Sequence, residues 1–363
     1  MSPPNAPRRA RRYDERDVRI RPNSRGSRPR TKDRPAHTDA VTGRVLAVDR
    51  GRYSVLLEPI PGTGSQDDGP DDTRLGERRY VTAMKARELG PKSIVVGDLV
   101  ALVGDLSGGQ DALARIVRQL PRISVLRRTA DDTDPTERVI VANAEQLVIV
   151  TALANPQPRP RMIDRCLVAA YDAGLAPLLV LTKADLADPE PLLAAYGMLH
   201  VPAVVTSFQP CTGTIAGLEG LAEQLRGRVS VLVGHSGVGK STLVNALVPA
   251  AMRSTGRVND VTGRGRHTSA SVVALELSGS AGGWVIDTPG VRSFGLAHVD
   301  INRIVDHFPD LEPGTAECPR GCTHDEPDCG LDAWAASGAA GPAAAARLES
   351  LRRLLRARSA GTD

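Results

Sequence analysis

Gly234-His235-Ser236-Gly237-Val238-Gly239-Lys240-Ser241 reads G-x-x-x-x-G-K-[ST]. It stands directly after the apolar run Val229 to Gly234 and before the helical pattern Ser241 to Leu247. Strand, glycine-rich loop and helix in that order are the setting a phosphate loop (P-loop) requires. Glycines let backbone N–H groups face phosphate oxygens, and the helix N-terminus adds positive potential. Lys240 is expected to neutralise the β and γ oxygens and Ser241 to hold Mg²⁺, with Thr242 next along the helix and His235 filling the loop. Lysine is scarce in this chain, five against 41 arginines, and two of the five are Lys240 and Lys183. A compact ammonium cannot always be replaced by a planar guanidinium, so these two positions stand out.

Outward from the loop, the run Trp284 to Gly290 ends in Asp287-Thr288-Pro289-Gly290, a D-x-x-G arrangement 46 residues beyond Ser241. Asp287 is expected to reach Mg²⁺ through water and the Gly290 amide to sense the γ-phosphate. Switch segments then fall between Arg253 and Thr268 and just after Gly290. Within Gly263 to Ser269, either Thr268 or Ser269 offers the metal-binding switch hydroxyl. No base-reading motif follows the phosphate loop. Upstream of it, however, Thr182-Lys183-Ala184-Asp185 ends the apolar run Ala176 to Asp185, and Thr206-Ser207 ends the next run from Val201. Asp185 can accept both hydrogen bonds of the guanine N1 and N2 edge while the Lys183 stem covers the ring. The competing reading makes Asp185 a helix cap after a strand. The order of the motifs is rotated.

The rest of the chain is organised around this centre. Apolar runs at Glu145–Leu153, Ala176–Asp185, Val201–Ser207, Val229–Gly234 and Trp284–Gly290 alternate with helical patterns, including one over Arg161–Ala173. This is the grammar of an α/β domain with strands buried on both faces. Before it, short β-rich runs at Gly43–Glu58, Arg78–Met84, Ser93–Val103 and Ala112–Leu120 predict a small closed barrel, either an OB-fold or an SH3-like barrel. The acidic insert Pro61–Thr73 reads as a loop. After Pro309, Cys318, Cys322, His324 and Cys329 crowd into twelve residues. Four soft ligands so spaced suit tetrahedral zinc, one ion per chain. Leu348, Leu351, Leu354 and Leu355 mark a short amphipathic helix in the Ala-rich tail.

Composition narrows the remaining options. With 41% hydrophobic residues over 363 positions, wholly disordered and fibrous classes are excluded, and the length suits two or three domains. No apolar stretch is long enough to span a membrane, and five cysteines, an odd number with three of them crowded into Cys318, Cys322 and Cys329, do not suit a disulfide framework. A cytoplasmic protein is expected. Residues 1–38 hold twelve Arg or Lys against four Asp or Glu, with almost no apolar residues, so this arm suits contact with a nucleic-acid backbone or serves as a solubilising tail. The expected divisions are 1–38 for the basic arm, 39–128 for the barrel, 129–308 for the α/β domain and 309–363 for the zinc-binding and helical subdomain.

The rotated motif order, flanked by a barrel and a Cys/His cluster, resembles the circularly permuted, ribosome small-subunit-dependent GTPases, the RsgA or YjeQ family. Residues outside the nucleotide motifs carry the likeness further: Leu120-Pro121-Arg122, Asn143 and Gln146, Ile163-Asp164-Arg165, Gly263–Ser269 and Asp287–Gly295. The resemblance covers about residues 40 to 335. It implies an OB-fold, a central permuted P-loop GTPase and a C-terminal zinc subdomain, a hydrolase that turns GTP into GDP and phosphate. As partners it implies the small ribosomal subunit and its rRNA, bound late in ribosome biogenesis, with no membrane and a monomeric protein. This chain departs from the family in two places. Thr182 stands where family members usually carry an Asn, which normally contacts guanine N7 and ties the base loop to the phosphate loop, and the outer gaps of the metal cluster are each one residue shorter than the family pattern.

Hydrolysis needs a positioned water. Val291, just after the D-x-x-G, can neither orient nor polarise one, which predicts slow intrinsic turnover. His267 is the internal candidate, with an RNA or switch contact as its other reading. Two further functions compete: an rRNA-binding assembly placeholder that turns over little nucleotide, and a P-loop ATPase. The barrel's few aromatics, Tyr53 and Tyr80 among them, favour backbone electrostatics over base stacking.

Overall fold

The computed structural model describes residues 37–57, 79–90, 93–109, 111–128, 138–249, 272–277, 282–288, 296 and 299–359. The basic arm up to Arg34, the acidic insert, His267, Thr268, Ser269, Gly290 and Val291 lie outside the described residues.

Strands β1 (Val41–Asp49), β2 (Arg52–Leu57), β3 (Arg79–Lys85), β4 (Leu99–Gly104) and β5 (Ala114–Gln119) run in the order β1-β2-β3-β5-β4, and β4 closes back onto β1. The expected closed, OB-like barrel is present. Its β3–β5 pair is parallel and its β1–β4 pair antiparallel. Alternate residues Val45, Val55, Val81, Ala83, Leu102 and Ile116 fill the interior, as the two-residue period of a strand dictates. Tyr53 joins them at 4% exposure, so of the two aromatics noted above only Tyr80 faces outward. The run Gly43–Glu58 is two strands, because Arg50 and Gly51 both take positive φ and form a tight hairpin turn.

Ser93–Val103 is likewise not one strand. Gly97 (φ +89°) turns the chain, and a Cβ there would stand 2.0 Å from the Ala142 carbonyl oxygen, so only glycine permits this approach. The following Asp98 carboxylate is fully buried and takes Nε and Nη2 of Arg122 at 2.7 and 2.8 Å, while Arg122 also donates to the Ser93 carbonyl. A ribbon of β6 (Val125–Arg128) and β7 (Arg138–Ala142) leads into the α/β domain. Asn143 sits at the seam, donating to the Gly97 carbonyl and accepting from the Ile123 N–H.

The second half of the sheet is β10 (Ala203–Val205), β9 (Ala176–Thr182), β8 (Gln146–Ala152), β13 (Val229–Val233), β15 (Trp284–Asp287) and β14 (Val273–Glu276), in that spatial order. All but β14 are parallel. The β14 strand is antiparallel and meets β1 at Ala47↔Val273, so barrel and α/β domain share one eleven-stranded sheet. Every residue of β8 is buried. Leu147 and Ile149 face α1 (Pro160–Asp172), whereas Val148 and Val150 face the side of α3 (Leu218–Leu225) and α4 (Lys240–Leu247). Helix α2 (Glu190–Gly197) and the β11 (Ser207–Gln209) and β12 (Thr214–Ala216) hairpin complete this half.

Beyond it come α5 (Ile301–Val305), a 3₁₀ turn (Glu312–Glu317), α6 (Gly330–Ala336) and α7 (Ala344–Ser359). The tail helix is 16 residues long, not short, and all four of its predicted leucines are buried in the core they share with α1. Polar latches fix it there. Arg165 of α1 donates to the Ala357 carbonyl at 2.9 Å, Arg353 pairs with buried Asp164 at 3.3 Å, and Arg347 forks onto Asp310 at 2.6 and 2.7 Å. No helix among the described residues is long and apolar enough to cross a membrane.

Removing one partner of a buried ion pair leaves the other uncompensated. Arg122→Ala should therefore destabilise the protein by about 3 kcal/mol in denaturant titration, and Arg122→Lys should recover only part of that. A loss below about 0.5 kcal/mol would show that the pair is screened by water rather than buried.

Candidate nucleotide site and metal cluster

Parallel strands align their C-terminal ends, and this alignment assembles the site. The β9, β8 and β13 strands lie side by side in register, Val148 pairing with Leu178 on one side and Leu232 on the other. The two motifs that the sequence separates by about fifty residues are thereby brought to one edge, on the two neighbours of β8. Gly234 leaves β13 so close to β8 that a Cβ would meet the Val150 carbonyl oxygen at 2.5 Å. The loop passes over Ser236 and Gly237, both exposed, and enters α4 through Gly239 at φ +93°. Val238 alone of this loop points into the core. His235 keeps its Nδ1 3.1 Å from the Ser236 carbonyl, a contact local to the loop.

Lys240 opens α4 and forms an ion pair with Asp287 at the end of β15. Ser241 and Thr242 follow on the exposed first turn. Thr288 is buried and donates to the Leu232 carbonyl at 2.7 Å, which ties the end of β15 to β13. The structure thus brings Lys240, Ser241 and Asp287 together.

At the other side of β8, Thr182 ends β9 almost fully buried, its hydroxyl donating to the Val238 carbonyl of the phosphate loop at 2.5 Å, with the Thr151 carbonyl at 3.3 Å. Lys183 takes φ +59° and donates to the Asn155 carbonyl. Ala184 donates its N–H to the Thr206 carbonyl at 3.2 Å, and Thr206 is buried against β9. Asp185 is exposed, with one carboxylate oxygen accepting the Phe208 N–H at 3.2 Å. Ser207 belongs to the β11 and β12 hairpin rather than to β10, because the chain turns at Thr206. Sequence reasoning missed Asn155, Phe208 and the Val238 carbonyl. They act through backbone atoms, which leave no residue-type signature.

The four metal-ligating candidates also converge. Cys318, Cys322, His324 and Cys329 present ligand atoms that all lie within 4.8 Å of one another. Cys318 Sγ stands 3.8 Å from Cys329 Sγ and 3.5 Å from His324 Nδ1. A tetrahedral zinc with ordinary bond lengths has edges of about 3.8 Å between sulfurs and about 3.5 Å between sulfur and nitrogen, so the donors fit such an ion. His324 reaches the cluster from a left-handed backbone, with its N–H directed at Cys322 Sγ at 3.3 Å. Burial pushes the Cys322 thiol up to about 12 and the His324 imidazole below its usual range, the latter favouring the neutral, ligating form. Glu326, missed from sequence, sits 3.4 Å from Cys322 Sγ and braces the loop through Thr323. Arg352 of α7 donates to the His324 carbonyl at 2.9 Å and Arg356 forks onto Asp325, so the cluster rests on the tail helix.

A model of the RsgA GTPase family matches residues 119–297. The small ribosomal subunit biogenesis GTPase RsgA of Pseudomonas syringae pv. tomato is 36% identical over 316 residues, covering 81% of this chain and 88% of its own. The chain belongs to the RsgA GTPase family. The protein of the same name from Gemmatimonas aurantiaca is 36% identical over 265 residues, 71% of this chain and 84% of its own. Among solved structures, YjeQ from Thermotoga maritima is similar with a TM-score of 0.56 and 26% identity, covering 87% of this chain and 99% of that one. YloQ, a circularly permuted GTPase, shares the fold with a TM-score of 0.55, covering 88% of this chain and 97% of that one. An RsgA GTPase hydrolyses GTP, and with that membership the rotated order of motifs is a circular permutation.

The cluster makes its own prediction. Cys329→Ser should lower both bound metal, read by elemental analysis, and the midpoint of thermal unfolding, and a chelator should lower the midpoint of the unsubstituted chain. An unchanged midpoint after complete metal removal would show that the loop is held by Arg352, Arg356 and Glu326 alone.

Proposed function

We propose that this GTPase acts on the small ribosomal subunit late in its assembly, binding subunit and rRNA as a cytoplasmic monomer and hydrolysing GTP faster when bound. The observation that carries the reading is the meeting of the two nucleotide motifs across β8: the Lys240–Asp287 ion pair on one side and the Thr182–Val238 tether on the other.

In this reading Gly234, His235, Ser236, Gly237, Val238 and Gly239 wrap the phosphates with backbone N–H groups, and Lys240 leaves Asp287 to pair with the β and γ oxygens. Mg²⁺, held by Ser241 and through water by Asp287, supplies neutralising charge to the phosphates. Asp185 accepts from the guanine N1 and N2 groups, and the Lys183 stem covers the ring. Ala184, Thr206 and Ser207 supply backbone that frames the base. Gly290 and Thr268 serve as the switch contacts, and His267 is the internal group able to hold a water. Val291 cannot assist, so the subunit completes the site. Zinc, held by Cys318, Cys322, His324 and Cys329, braces the C-terminal subdomain.

The names of the relatives support the ribosomal partner, and the exposed Arg52 and Arg115 on the barrel, without a side-chain partner among the described residues, supply charge suited to an RNA backbone. Turnover of GTP and ATP should be measured with and without purified small subunits. Subunits should raise GTP turnover at least tenfold, and Lys240→Ala should abolish it while leaving the unfolding midpoint nearly unchanged. Turnover that subunits leave unchanged would favour the placeholder reading, and a preference for ATP would remove the guanine assignment.

A further inference from the structure

Thr182 ends β9 beside the phosphate loop and three residues before Asp185, and its single hydroxyl is already committed to the loop. A threonine hydroxyl carries a single hydrogen to donate. Here the Oγ1 lies 2.5 Å from the Val238 carbonyl oxygen and 3.3 Å from the Thr151 carbonyl oxygen, and both of these groups accept only. The residue is 4% exposed, so solvent water is not an alternative partner for the hydroxyl. Its packing points the same way: a Cβ placed on Gly239 would stand 3.7 to 3.8 Å from Thr182 Oγ1, Cβ and Cγ2 together. The whole side chain is turned towards the phosphate loop.

Guanine N7 is an acceptor and is read only by a donor. An asparagine amide carries two hydrogens and can tie the phosphate loop with one while offering the other to N7. The threonine cannot. On the opposite edge of the base, Asp185 is fixed by the Phe208 N–H on one oxygen and keeps acceptor capacity for two donors. We infer that this chain recognises guanine by its N1 and N2 edge alone, with Thr182 as the specificity-determining residue that leaves N7 unread. The inference rests on the assignment of GTP to this site and goes beyond it, since it states which atoms of the base are sensed.

The test is equilibrium binding of GTP, 7-deaza-GTP, inosine triphosphate and ATP to the unsubstituted full chain with Mg²⁺. In 7-deaza-GTP a C–H replaces N7. It should bind within twofold of GTP, while the inosine nucleotide, which lacks the N2 amine, should bind at least fivefold more weakly. Thr182→Asn should open a gap of about fivefold in favour of GTP over 7-deaza-GTP, the worth of one hydrogen bond near 1 kcal/mol. A fivefold or greater loss for 7-deaza-GTP in the unsubstituted chain would overturn the inference while leaving the guanine assignment intact. Equal affinity for GTP and ATP would instead overturn the assignment itself. The decisive comparison uses no substitution, so it does not depend on how a variant folds, and a Thr182→Asn chain of normal stability that opened no gap would count against the donor argument.

Discussion

The parallel placement of β8 between β9 and β13 is the constraint on which the site depends. In this permuted chain β9, which ends at Thr182, comes before the phosphate loop, and the two are not neighbours in sequence. Three parallel strands in register put their C-terminal ends at one edge, and helix N-termini open there. The Thr182 hydroxyl then closes the remaining gap to Val238, and Thr288 does the same for β15 on the far side. Each tether is a buried hydrogen bond with a backbone acceptor, of the kind whose loss leaves an unsatisfied group. The order in which the chain visits the strands is therefore immaterial to the site.

Among the described residues outside the nucleotide motifs that carried the family likeness, Arg122, Asn143, Gln146, Asp164 and Arg165 lie at seams. Arg122 neutralises the buried Asp98 at the turn where the barrel meets the β6 and β7 ribbon. Asn143 bonds both sides of the same junction, and the Gln146 amide oxygen accepts from buried Ser230 where β8 meets β13. Asp164 and Arg165, both buried on α1, hold the tail helix through Arg353 and the Ala357 carbonyl. Burial raises the Asp164 carboxyl above its usual range, with Arg353 opposing the shift. The polar residues that would be misplaced in an ordinary core mark the joints between its parts. Through Arg347, Arg352, Arg353 and Arg356 the tail helix joins the metal cluster to α1 and the end of α2.

Much of this was legible from residue patterns, for definite reasons. Strands buried on both faces read as continuous apolar runs, and β8, β9, β13 and β15 fall where those runs stand, their ends shortened at Thr182, Val233 and Asp287 where the chain turns into loops. The four-residue cluster was legible because sulfur and imidazole ligands at that spacing have few other uses. Short elements were not. The β6, β7, β11 and β12 strands are two-stranded ribbons stabilised by what they pack against, and α2 and α3 are eight residues each, too short for a periodic signal. Gly97 broke a run that looked uniform, because its role is set by the Ala142 carbonyl, a backbone atom distant in sequence. The tail helix looked short because its leucine stripe spans only Leu348 to Leu355, while its first turn, Ala344 to Arg347, and its last residues carry no large apolar side chain.

In the function proposed above, base recognition falls on one carboxylate, Asp185. An Asp at this position accepts from two donors, whereas an Asn offers an amide and matches the xanthine base, whose C2 carries a carbonyl in place of the amine. The most direct measurement is binding of GTP and xanthosine triphosphate to the unsubstituted chain and to Asp185→Asn. The account predicts that GTP wins in the first and that the preference inverts in the second, with the fold unchanged. Retention of GTP preference by Asp185→Asn would contradict it and move the base to another part of the molecule.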